Sequence, residues 1–152
     1  MIKVKRIDHV AVAVADRDVA ARDLSALFGL ATGAREAVAG QMTNVAFLHA
    51  GAPAGAAGGD EPTAVEICAP TLADDGPIAR FLARRGPGLH HVCFEVEDLS
   101  GALATLKAAG VRLIDETPRP GARGHLVAFL HPAATGGVLF ELCEPAHAGS
   151  AA

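Results

Sequence analysis

Val45-Ala46-Phe47-Leu48-His49 recurs, residue for residue, as Val127-Ala128-Phe129-Leu130-His131. Upstream of each copy stands a histidine in an apolar stretch: Ile7-Asp8-His9-Val10-Ala11-Val12 before the first, Leu89-His90-His91-Val92-Cys93-Phe94 before the second. From His9 to Val45 is 36 residues, and from His91 to Val127 it is again 36. An identical pentapeptide at an identical offset marks an internal repeat, and a repeat is the first thing that decides an architecture.

The repeat extends outward in both directions. Each histidine is followed after seven residues by an aspartate, Asp16 or Asp98, and then by a helical pattern that stops at glycine, Gly29 or Gly110. Each copy closes on an apolar run that carries one acid and then reaches proline: Val65-Glu66-Ile67-Cys68-Ala69-Pro70, and Leu139-Phe140-Glu141-Leu142-Cys143-Glu144-Pro145. The first copy holds seven extra residues between pentapeptide and acid, which the loop-like segment 50–59 absorbs. Alternation predicts strands over 7–14, 33–38, 43–49 and 63–69, with a helix over 17–28 capped by Asp16 and stopped by Gly29. The second copy predicts strands over 90–97, 111–115, 125–131 and 137–143, with a helix over 99–109. Between the copies, residues 75–86 read as a connecting helix with Pro77 in its first turn, and the tail 146–152 reads as frayed.

The fold class expected is therefore α+β: one domain, 6–145, of two paired β-α-β-β-β modules, 6–70 and 89–145, joined by a helix near 76–86. The bulk properties agree with such a domain. The 152 residues are 51% hydrophobic, but with six phenylalanines and no tryptophan or tyrosine the core must be mainly aliphatic. A net charge of -4 without a basic run argues against nucleic acid as a partner. No stretch is long and apolar enough to span a membrane, and the N-terminus lacks a signal-peptide core, so a soluble cytoplasmic protein is expected. Three cysteines without a CxxC pattern read as reduced, small buried residues.

Alternation along the strands also sorts the polar residues. His9 falls on the face opposite Val10, Val12 and Val14, and His91 on the face opposite Val92, Phe94 and Val96. Glu66 and Glu141 share faces with Cys68 and Cys143. The residues two places from these four are Ala11, Cys68, Cys93 and Cys143, all small, which suggests a hollow with polar walls. Two imidazoles and two carboxylates at matched positions suit a borderline divalent ion with open coordination positions, and the lack of thiolate argues against a structural zinc site. His49, His90 and His131 carry a structural or surface reading, His125 stands in a loop, and Arg80, Arg84 and Arg85 read as a solvated helix face.

At these residues the chain resembles the vicinal oxygen chelate superfamily. Within it, three motifs are similar to the methylmalonyl-CoA epimerase family: Ile7-Asp8-His9-Val10; Pro77-Ile78-Ala79-Arg80-Phe81-Leu82 running to Gly88-Leu89-His90-His91-Val92; and Phe129-Leu130-His131-Pro132 followed by Gly136-Gly137-Val138-Leu139-Phe140-Glu141-Leu142. The resemblance covers about 6 to 145. It implies a curved mixed sheet around a metal cleft, with His9, Glu66, His91 and Glu141 holding one divalent ion. Cobalt is the ion expected, with manganese, nickel and zinc as alternatives. It implies interconversion of the 2R and 2S forms of methylmalonyl-CoA through an enolate, with Glu141 and Glu66 as candidate proton-transfer groups, an acyl-CoA partner and a homodimer. Some members carry an acid/base glutamate on the third strand, where this chain has Val45. A glyoxalase I-type lyase and a non-enzymatic drug-sequestering protein of the same fold are the alternatives.

Overall fold

In a computed structural model of the chain, residues 1–51, 62–71 and 75–146 are described. The expected loop over 50–59 and the expected frayed tail fall almost wholly outside them. The chain divides into two units, His9–His90 and Met1–Asp8 together with His91–Ala152. Among the described residues, no helix is long and apolar enough to cross a membrane.

The unit His9–His90 takes the end of strand β1 (Val4–Ala13), helix α1 (Arg17–Phe28), strands β2 (Ala31–Val38), β3 (Thr43–His49) and β4 (Ala64–Pro70), and helix α2 (Pro77–Arg85). Asp16 starts α1 as the sequence leads one to expect. Its carboxylate accepts the Asp18 and Val19 backbone N–H groups, two of the donors that no helical carbonyl can reach. Gly29 ends the helix at φ 66°, a left-handed conformation that glycine adopts without a Cβ penalty. The strand order is β2-β3-β4-β1; the first two pairings are antiparallel, and β4 runs parallel to β1. Ala21 of α1 packs on Ala46, Leu48 and Ile67, with Val12, Val14, Leu24 and Leu30 around them.

The other unit takes the start of β1, most of strand β5 (Gly88–Val96), helix α3 (Leu99–Ala108), and strands β6 (Arg119–Pro120), β7 (Leu126–Leu130) and β8 (Phe140–Glu144). The order β5-β8-β7-β6 repeats the pattern, with β5 and β8 parallel and the rest antiparallel. Asp98 caps α3 through Gly101 N–H, and the Glu144 carboxylate accepts Leu99 N–H at 2.8 Å. Leu99, Ala102 and Leu103 pack on Ala128, Leu130, Leu142 and Val96. The repeated pentapeptide thus does the same work twice: its alanine and leucine enter the core beneath a helix, in the first unit as Ala46 and Leu48, in the second as Ala128 and Leu130.

Three strand expectations need correction. The strand expected over 111–115 is a single bridge between Leu113 and Leu130, and the paired segment is Arg119–Pro120. The cause is local. The Phe129 carbonyl accepts from both Ile114 and Asp115, and the Asp115 carboxylate takes the Phe129 N–H at 2.8 Å, so a side chain replaces a rung of the ladder. The last strand starts at Phe140 instead of 137, because Gly136 and Gly137 are both left-handed, at φ 70° and 90°. The first strand starts three residues early, at Val4, where Lys5 and Arg6 are anchored to Glu95 at 2.7 Å each.

Candidate metal-binding and catalytic residues

Each unit holds one buried imidazole–carboxylate pair. In the first, the β1–β4 register sets Ala11 opposite Glu66, so His9, two residues before Ala11, shares the face of Glu66. His9 Nε2 lies 3.4 Å from Glu66 Oε2, and both residues are buried. Ala11 is fully buried and small, which leaves the two polar heads room to approach. The Cys68 thiol donates to the same Glu66 oxygen at 3.2 Å.

In the second unit Glu141 stands opposite Cys93, and His91, two residues before Cys93, is brought to it. His91 Nε2 lies 2.9 Å from Glu141 Oε2, and both side chains are again buried. The phenylalanine of each pentapeptide meets the histidine of its own unit edge-on: Phe47 against His9 at 5.7 Å and 81°, Phe129 against His91 at 5.1 Å and 82°. Such contacts orient an imidazole by packing. Sequence reading found the pentapeptide but assigned no role to its phenylalanine; its alternation with Ala46 and Leu48, or Ala128 and Leu130, was the available signal.

Imidazole nitrogen beside carboxylate oxygen, twice over and without a thiolate among the four, is a donor set that fits a divalent ion of borderline hardness. A second cluster in the unit containing His91 does not. Oxygen and sulfur atoms of Asp8, Cys93 and Cys143 lie within 4.8 Å of one another. The Asp8 carboxylate, however, is held by Arg6 at 2.8 Å and by Arg123, so two guanidinium groups already neutralise it. A hydrogen bond from Cys93 brings the Cys143 thiol down to about 7 against the opposing effect of burial, with His125 adding to the shift. Burial pushes the Cys93 thiol up.

The remaining histidines have structural surroundings. His49 is buried at the end of β3, with its ring against Gly33, where a Cβ would come within 2.7 Å of Nε2. His131 Nδ1 accepts the Ala133 N–H at 3.1 Å and caps a short 3-10 turn, Pro132–Ala134. His90 packs edge-on against Phe81 at 4.8 Å. Arg80 donates to the Asp75 carbonyl, and Arg84 and Arg85 are exposed in the last turn of α2, where positive charge interacts favourably with the negative end of the helix dipole. Val45 is buried and lies opposite Cys68 on one side and Glu36 on the other. Sequence reading missed the Asp8–Arg6–Arg123 group and Glu95, whose buried carboxylate takes Lys5 and Arg6.

Residues 8–129 match the family described as the Glyoxalase/Bleomycin resistance protein/Dioxygenase superfamily. The chain is 36% identical over 139 residues to the ethylmalonyl-CoA/methylmalonyl-CoA epimerase of Cereibacter sphaeroides, covering 90% of this chain and 96% of that protein. The crystal structure of methylmalonyl-CoA epimerase from Mycobacterium tuberculosis is similar at a TM-score of 0.85 and 38% identity, covering 98% of this chain and 93% of the other. A methylmalonyl-CoA epimerase in complex with methylmalonyl-CoA and NH4+ is similar at a TM-score of 0.86 and 29% identity, covering 95% and 97%.

Proposed function

The chain belongs to the glyoxalase/bleomycin resistance protein/dioxygenase superfamily, and from that premise we propose that it is an epimerase that interconverts (2R)- and (2S)-methylmalonyl-CoA. The observation that carries this reading is the doubled imidazole–carboxylate pair, in a chain similar over nearly its whole length to epimerases acting on that thioester.

The C2 proton of methylmalonyl-CoA lies between a thioester and a carboxylate, so its removal leaves an enolate. His9, Glu66, His91 and Glu141 are the residues that would hold one divalent ion. When bound, such an ion supplies fixed positive charge for the negative charge that develops on the thioester oxygen. Glu141 takes the C2 proton on one face: a buried carboxylate, bonded at 2.9 Å to an imidazole that fixes its orientation, is a suitable base. Burial of the four side chains excludes water, which strengthens each charge interaction around the reacting carbon. Glu66, engaged with His9 and with the Cys68 thiol, remains among the ligands in this reading. The ion is read as cobalt, the chain as one domain of two modules, and the assembly as a homodimer.

The test is racemisation of each enantiomer of methylmalonyl-CoA by metal-stripped and by cobalt-reloaded protein. Loss of optical purity with reloaded protein and its absence with stripped protein are the expected results. Retention of optical purity by the fully loaded protein overturns the reading.

A further inference from the structure

The register that assembles the His91–Glu141 pair repeats itself two residues on. β5 and β8 run parallel, with Cys93 opposite Glu141 and Glu95 opposite Cys143. His91 therefore meets Glu141 along a diagonal between the strands, 50 residues away in the chain. The next diagonal joins Cys93 to Cys143, on the same face of the same two strands. In the unit His9–His90 the equivalent step leads from His9 and Glu66 to Ala11 and Cys68, a single thiol. The thiol pair belongs to the unit containing His91 alone.

The pair suits an ion better than a disulfide. Both cysteines are free and buried, and a hydrogen bond joins their thiols. One strand spacing of about 4.8 Å across and two residues of about 3.3 Å along set their Cα atoms about 8 Å apart. A disulfide requires less than about 7 Å. The sulfurs themselves lie within 4.8 Å of each other. Two metal–sulfur bonds of about 2.3 Å span about 3.8 Å at a tetrahedral angle and about 4.6 Å when collinear, so one ion fits between them.

The surroundings select the ion. Sulfur donors favour soft cations. His125 hydrogen-bonds to the Cys143 sulfur from a half-buried position, which adds one imidazole that solvent reaches. The Asp8 carboxylate comes as close to the sulfurs, but Arg6 and Arg123 hold it. A structural zinc ion takes four protein ligands, and the fourth would have to be drawn away from two guanidinium groups. A soft monovalent ion is satisfied by two sulfurs, with the imidazole as a third donor. Two thiolates and such an ion carry one net negative charge, and the Arg6 guanidinium is near enough to Cys143 to interact with it electrostatically.

We propose that Cys93, Cys143 and His125 form a second metal site, one that binds a soft monovalent cation, copper(I), separately from the imidazole–carboxylate residues. Binding forms two sulfur–metal bonds and releases the two thiol protons to solvent, and no electrons are exchanged. The site is independent of the epimerase reading.

The experiment titrates copper(I), without oxygen, into the full chain with and without bound cobalt, in competition with the coloured chelator bicinchoninate. One copper per chain should bind, with sulfur-to-metal charge-transfer absorption in the near ultraviolet and two sulfur neighbours at about 2.3 Å in X-ray absorption. Cobalt content should not change. Cys93→Ser and Cys143→Ser should each weaken copper binding more than about 100-fold, beyond the loss that a merely supporting neighbour gives. Cys68→Ser should bind copper as wild type does. Where serine disturbs the native circular dichroism, Cys93→Ala and Cys143→Ala carry the same expectation. Wild type that leaves the copper with bicinchoninate overturns the proposal, as do Cys93 and Cys143 variants that bind within about threefold of wild type. Copper that displaces cobalt one for one also overturns it, because the ion then occupies the imidazole–carboxylate residues. Each result is read from copper, so failure of the epimerase reading leaves it standing.

Discussion

Asp8→Asn should destabilise the protein by about 3 kcal/mol, and the figure follows from where the carboxylate lies. The Asp8 side chain is fully buried; Arg6 reaches one of its oxygens at 2.8 Å and Arg123 reaches the other. Removing one partner from a buried ion pair costs about 3–5 kcal/mol, most of it for the charge left uncompensated. Here the lower end applies. Arg6 keeps Glu95 at 2.7 Å, and the asparagine oxygen still accepts one hydrogen bond. Arg123 loses the most. It is held at φ 55°, a left-handed conformation uncommon outside glycine, and the ion pair offsets that strain of about 1 kcal/mol. With a urea slope of about 2 kcal/mol per molar, the unfolding midpoint should drop by about 1.5 M at an unchanged slope. A double-mutant cycle with Arg123→Gln should show a coupling of at least about 1 kcal/mol. A loss below about 1 kcal/mol for Asp8→Asn, or strict additivity in the cycle, refutes the reasoning.

Other outcomes follow from the same geometry. His91→Ala should lose most of the bound cobalt in elemental analysis, and His131→Ala, which removes only a turn cap, should keep it; equal metal in the two contradicts the ligand assignment. Gly33→Ala should cost about 1–3 kcal/mol in urea unfolding, because its Cβ would meet the buried His49 ring at 2.7 Å; an unchanged midpoint would show that the ring can move aside. Burial raises the Glu95 carboxyl, but hydrogen bonds from Lys5 and Arg6 outweigh it and hold it below its ordinary value of 4.5. A depressed carboxylate stabilises the fold above its unfolded value, and that contribution disappears as pH falls through the folded one. The stability difference between wild type and Glu95→Gln should therefore be constant near neutrality and shrink below about pH 4.5. A difference that persists unchanged to pH 3 would contradict the ion-pair assignment.

The parts of this fold that were legible in the sequence are those set by short-range rules applied twice. Asp16 and Asp98 precede apolar-periodic runs and cap helices in both units. His9 and Glu66, like His91 and Glu141, were singled out by strand alternation and by their matched places in the repeat, and each histidine lies against the glutamate of its own unit. What escaped depends on partners far away in the chain. Arg123 and Asp8 are 115 residues apart, and Lys5 and Glu95 are 90 apart. Nothing local in any of these residues announces the other. The strand expected over 111–115 failed because the Asp115 side chain displaced a backbone acceptor, a choice that depends on where Phe129 falls.

Incorporation of deuterium at C2 tests the central claim most directly. Cobalt-loaded protein is incubated in D₂O with (2R)- or (2S)-methylmalonyl-CoA, and label and optical purity are followed together by mass spectrometry and chiral analysis. Both enantiomers should gain one deuterium at C2 as they converge on the racemate, and Glu141→Gln should abolish the exchange of the enantiomer whose C2 proton Glu141 takes, while retained cobalt shows that the base, and not the site, was lost. Fully loaded protein that leaves both enantiomers unlabelled and optically pure would contradict it.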